Sequence, residues 1–125
     1  MIIGTASDAA KLLVPLLSGH REEKIVAAHL DGDQRLIETI EAATGAHDAV
    51  DLPIRAIIED AFRLKSAGLI VAHNHPSGDP SPSEMDLKAT RTLAATAESL
   101  GIVLHDHLIV GAEGDCRSLR ALGLL

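Results

Sequence analysis

Apolar positions first recur at helical spacing. In residues 5–17, TASDAAKLLVPLL, Leu12, Leu13, Leu16 and Leu17 fall on one side, and Thr5 or Ser7 can cap the start. Pro15 is expected to shorten or kink that helix. The period then changes. Residues 24–30, KIVAAHL, form a short apolar run suited to a buried strand. Asp31-Gly32-Asp33-Gln34 is a turn, after which residues 35–42 can pair back as a second strand. Residues 45–52 read as irregular or as a third short strand. Helical spacing returns in PIRAIIEDAFRLKSAG, with Pro53 in the first turn and Gly68 at the end. Ile57, Ile58, Ala61, Phe62 and Leu64 give it an apolar face. Residues 69–72, LIVA, read as a central strand, and residues 83–100 as a long helix ended by Gly101. Residues 102–110 form another strand, and the tail is a turn followed by a short strand or helical piece. The order α-β-β-(β)-α-β-α-β predicts one α/β domain over residues 1–125, a mixed β-sheet flanked by helices.

Composition narrows what such a domain can do. The 125 residues suffice for one buried core, and 46% of them are hydrophobic. No run approaches the ~20 apolar residues of a membrane span. The start, Met1-Ile2-Ile3-Gly4-Thr5, lacks the features of a signal peptide, so a cytoplasmic, membrane-free protein is expected. Cys116 is the only cysteine, which rules out an internal disulfide and a CxxC zinc site. Any metal must be held by histidines and carboxylates. The net charge is −7 and Phe62 is the only aromatic residue among Phe, Tyr and Trp. Such a chain has neither a basic stripe for phosphates nor a stacking platform, so direct nucleic-acid binding is disfavoured.

The candidate chemistry lies in residues 73–86, HNHPSGDPSPSEMD. Side chains alternate along a strand, so His73 and His75 can point one way and Asn74 the other. The pair is expected just past a buried strand end, where α/β proteins tend to place sites. Two imidazoles suit zinc and leave room for a third ligand. Asp86 is the natural third, because the turning loop with Pro76, Gly78, Pro80 and Pro82 can bring the next helix start back over the strand end. Ser83-Glu84-Met85-Asp86 also reads simply as a helix cap with an acidic third residue. The two readings are compatible: the Ser83 oxygen can accept from the Asp86 N–H while its hydroxyl donates elsewhere.

The string His73-x-His75-x(7)-Ser83-x(2)-Asp86 resembles the JAMM (JAB1/MPN) metalloprotease signature, and HNHPSGDPSPSExD resembles its RadC-like branch. The likeness extends to EEKIVAAHLD, to Arg55 with Ala61 and Ala67, to SLGIVLHDHLIVG and to SLRALGLL, and so runs from about Thr5 to Leu125. The text Leu52-Pro53-Ile54-Arg55 departs from that branch's usual His-Pro-Arg. The resemblance implies a JAB/MPN-like fold of the cytidine-deaminase-like type. It implies Zn²⁺ held by His73, His75 and Asp86, and oxyanion stabilisation by Ser83. It also implies an upstream glutamate as general base on water held by the zinc. Glu22 and Glu23 compete for that role, and Glu23 is preferred because its distance to Asp31 fits the family register. The implied activity is hydrolysis of peptide or isopeptide bonds in a peptide or protein substrate. The alternative is a non-catalytic metal-binding interaction module, accessory to DNA repair on the strength of the family label alone.

Other polar residues are expected to do less. His105-x-His107 is a second HxH without a third ligand at a sensible spacing, so packing or support of the site is expected, with Asp106 alongside. His20, His29 and His47 are expected to be structural or on the surface, and Arg117 and Arg120 solvated. The H-x-E and P-C-x-x-C of zinc deaminases are absent, which excludes that chemistry.

Overall fold

The computed structural model describes residues 1–45 and 51–125. The expectations for residues 46–50, His47 included, lie outside the described residues. The elements are α1 (Ala6–Leu17), β1 (Glu23–Leu30), β2 (Leu36–Gly45), α2 (Ile54–Leu64), β3 (Gly68–Asn74), α3 (Glu84–Ser99), β4 (Val103–Val110) and β5 (Cys116–Ser118). A 3-10 turn at Ala112–Gly114 joins the last two. The sheet order is β2-β1-β3-β4-β5. β1 runs antiparallel to both β2 and β3, β3 and β4 are parallel, and β5 returns antiparallel to β4. A parallel pair requires a crossover, which α3 supplies. The expected mixed α/β sheet is therefore present.

Strand alternation splits the core in two. Val26, Ala28, Leu30, Ile70, Ala72, Leu108 and Val110 pack against Ala9, Leu13 and Leu17 of α1. On the other face Ala27, Leu69 and Val71 meet Ile57, Ile58 and Ala61 of α2 and Leu93 and Ala97 of α3. β3 lies between the two and is buried along its whole length, which is why its apolar run shows no alternation. No helix among the described residues is long and apolar enough to cross a membrane.

Local differences from the sequence reading have physical causes. α1 is capped by Thr5, whose side chain accepts from the Asp8 N–H, and Leu16 faces solvent. Helix α2 ends at Leu64, not at Gly68; Lys65 takes the left-handed turn, and the Ser66 N–H reaches the Ala61 carbonyl. Gly68 opens β3 instead, because a Cβ there would lie 2.5 Å from His105 Nε2. Phe62 is 57% exposed rather than part of the α2 core face. β3 extends through Asn74, so His73 is inside the strand, opposite Ile25 and Ile109, and only His75 lies past its end.

Candidate metal centre

His73 enters the site from β3, His75 from the first residue of the following loop, and Asp86 from the first turn of α3. One ligating atom from each lies within 4.8 Å of the others, an arrangement that could hold a metal ion. His73 Nε2 stands 2.9 Å from His75 Nε2 and 3.3 Å from Asp86 Oδ1. His75 Nε2 is 3.1 Å from Asp86 Oδ2. The expected trio is thus brought together.

The loop between strand and helix is pinned at several points. The His75 N–H donates to the Val110 carbonyl, the Gly78 N–H to the His75 carbonyl, and the Ala112 N–H to the Gly78 carbonyl. Gly78 has φ +94, which favours glycine. Gly111 lets the loop approach the end of β4, since a Cβ there would meet the Gly78 oxygen at 2.4 Å. His75 Nδ1 lies 2.9 Å from the Asp79 carbonyl, which can only accept, so Nδ1 carries hydrogen. Nε2 is then the ring nitrogen left for the cluster.

Asp86 is set by the helix cap. Its N–H donates to Ser83 Oγ at 3.0 Å, and its Oδ2 accepts from the Ser83 N–H at 2.9 Å. This capping box supports the expectation that cap and site coincide. Burial opposes ionisation of Asp86. Hydrogen bonds to the carboxylate, with His75 and the Ser83 N–H among its partners, outweigh it and hold the carboxyl far below the usual carboxylate range. Conversely, the hydrogen bond to Asp86 pushes His75 above its ordinary value. Without a metal, a proton held there offsets the facing lone pairs, so proton and metal compete.

That competition has a sign. A raised His75 contributes stability below its unfolded value of 6.5 and loses it as pH rises through the folded value. Burial lowers His29, His105 and His107, so they are neutral in the folded chain, and above their ordinary value they are neutral in the unfolded chain too and add little to the slope. The melting temperature of metal-free protein is therefore expected to fall as pH rises above about 6.5 and through the raised His75 value. The increment given by added divalent metal should grow over the same interval. Thermal melts with chelator and with metal measure both.

Glu23, the first residue of β1, is 7% exposed, and its Oε1 lies 4.0 Å from His73 Nε2. With His73, Ser83 and Asp86 it lines a cavity of about 340 Å³. Glu22 is exposed and does not line that cavity. The backbone around Glu23 is gripped by Asn74, whose side chain points away from the two histidines. Its Oδ1 accepts from the Lys24 N–H at 2.7 Å and its Nδ2 donates to the Glu22 carbonyl at 3.0 Å. Asn74 so holds both peptide groups that flank Glu23. Sequence reasoning gave it no role, although an amide inside a buried strand is itself a signal.

The family model of the RadC-like JAB domain matches residues 3–124. The chain belongs to the RadC-like JAB domain family. UPF0758 proteins are similar to it along much of its length. That of Rhodobacter capsulatus is 44% identical over 103 residues, 82% of this chain and 48% of that protein. That of Ruegeria pomeroyi is 42% identical over 107 residues, 85% and 47% respectively. That of Shouchella clausii is 37% identical over 122 residues, 98% and 53%. The chain spans about half the length of these curated relatives.

The remaining polar residues of this JAB domain have other tasks. Asp106 is buried, accepting from the His107 and Arg120 N–H groups and from the Ser118 hydroxyl. His105 packs over Gly68 and accepts from Arg120 Nε through its carbonyl. His29 is fully buried, with Nδ1 2.8 Å from Ser66 Oγ. Arg117 and Arg120 are exposed as expected, but both are engaged, Arg117 with Asp115.

Proposed function

We propose that this JAB domain is a zinc-dependent hydrolase of peptide or isopeptide amide bonds. The observation that carries the reading is a buried glutamate, Glu23, beside a two-histidine, one-carboxylate cluster on the wall of the same cavity. Two imidazole nitrogens and a carboxylate oxygen are a fitting donor set for zinc with one position left open. When bound there, zinc supplies Lewis acidity and lowers the pKa of water to about 7.

The protein's own groups would do the rest. Glu23 accepts a proton from the attacking water at its carboxylate and returns it to the departing amine. Ser83 Oγ already accepts from the Asp86 N–H, so its hydroxyl hydrogen is free to donate to the developing oxyanion. Asp51 and Glu84 also line the cavity, and no Lys or Arg among the described residues does. That charge balance opposes phosphate-bearing substrates, in keeping with the acidic composition.

The test is zinc-loaded protein against a panel of peptide and isopeptide substrates, with a chelated control. Chelator-sensitive cleavage is expected. Tight zinc binding with no cleavage across the panel would instead favour a non-catalytic interaction module. Asn74→Ala is expected to reduce turnover on the order of 10- to 100-fold, since small misplacements of a reacting group cost that much. Its zinc affinity should change far less, so parallel kinetic and zinc-competition measurements check the assignment.

A further inference from the structure

We infer that Thr90 and His107 are positioning residues: they form a hydrogen-bonded relay that fixes the tautomer of His73 and aims its Nε2 lone pair at the metal position. The inference rests on the reading of His73, His75 and Asp86 as metal ligands. It begins from the second HxH of the sequence, whose His107 is 2% exposed and sits between two partners. His107 Nδ1 lies 2.6 Å from Thr90 Oγ1, and His107 Nε2 lies 2.7 Å from His73 Nδ1.

Donor and acceptor counting sets the direction. Thr90 has one hydroxyl hydrogen, and its oxygen lies 2.6 Å from the Asp86 carbonyl, which can only accept. With that hydrogen on the carbonyl, Thr90 Oγ1 accepts, so His107 Nδ1 carries hydrogen. The His107 ring is buried and its two nitrogens face a hydroxyl and an imidazole, with no carboxylate to balance a cation, so the ring is neutral and its Nε2 has no second hydrogen to give. His107 Nε2 therefore accepts from the His73 Nδ1–H. His73 Nε2 is left bare, facing His75 Nε2 and Asp86 Oδ1.

The relay starts on one candidate ligand and ends on the backbone of another. It needs only Thr90 at one helical turn from Asp86 and His107 on the strand parallel to β3. Outer partners of this kind set ring orientation and ligand basicity, and losing one costs about 10- to 100-fold in metal affinity.

The test uses the ¹⁵N-labelled chain without metal, near pH 8, and long-range ¹H–¹⁵N spectra that report which ring nitrogen bears hydrogen. Both His73 and His107 are expected as the Nδ1–H form in the wild type and in Thr90→Ser. Thr90→Val keeps the shape but removes the hydroxyl. It should shift both rings toward the Nε2–H form and weaken Zn²⁺ binding about 10- to 100-fold against a chromophoric chelator. A wild-type His73 carrying hydrogen on Nε2 overturns the relay. So does a folded Thr90→Val with unchanged tautomers and unchanged Zn²⁺ affinity. If Thr90→Val does not fold, the wild-type and Thr90→Ser spectra decide. Wild-type protein that takes up no Zn²⁺ while both rings remain Nδ1–H would remove the metal reading and support the relay.

Discussion

Glu23→Gln is expected to lower amide hydrolysis by about 10²- to 10⁴-fold, the range that general-base catalysis supplies, while zinc uptake persists. Glutamine keeps the shape of the buried side chain and its place at the start of β1. It cannot take a proton from water at neutral pH. Because Glu23 Oε1 is 4.0 Å from His73 Nε2 and belongs to no part of the three-ligand cluster, metal stoichiometry should remain near one per chain. Glu22→Gln is the matched control. That side chain is exposed and outside the cavity, so near-normal rates are expected. Steady-state rates with metal analysis on both variants decide the matter. Full activity in Glu23→Gln, or none in Glu22→Gln, would place the base elsewhere.

His75→Ala should lose the metal itself. The imidazole contributes one of three converging donors, and its Nδ1 also ties the loop to the Asp79 carbonyl. Removal deletes a ligand and loosens the segment that positions another. The drop in zinc affinity should therefore exceed the roughly 100-fold upper range seen for outer partners. The fold should survive, because His75 lies beyond the end of β3 and outside both hydrophobic clusters. Metal content after dialysis against a weak chelator, with circular dichroism as the check on folding, measures the effect. Stoichiometric zinc in this variant would sink the ligand assignment.

The clustering of the three candidate ligands was legible in the sequence because their spacing is local. Two residues on one strand face, a turning loop and a helix cap place three donors within fourteen positions, and each piece has its own pattern. The fold order was legible for the same reason: helical and strand periods alternate cleanly. What was not legible depends on contacts between distant segments. Gly68 looked like a helix terminator, yet it is required by a histidine on a neighbouring strand. Phe62 looked like core because of its hydrophobicity, but the α2 face is already filled by Ile57, Ile58 and Ala61. Asn74 and Thr90 carry no motif, and their partners are revealed only when β1 and β4 lie on either side of β3.

All three candidate ligands, with Thr90 and His107, lie in one continuous stretch, the β3-α3-β4 unit from Gly68 to Val110. Glu23 comes from β1, which joins β3 across a long separation in sequence. His73, His75 and Asp86 are much nearer to one another in sequence than Glu23 is to any of them, so bringing the three together closes the smaller loop and costs less entropy. On the metal reading, a refolding chain would gather its three donors before the N-terminal hairpin docks. Metal in the refolding buffer should then accelerate folding and not merely slow unfolding. On the same reading, a refolding chain would hold metal before Glu23 stands beside it.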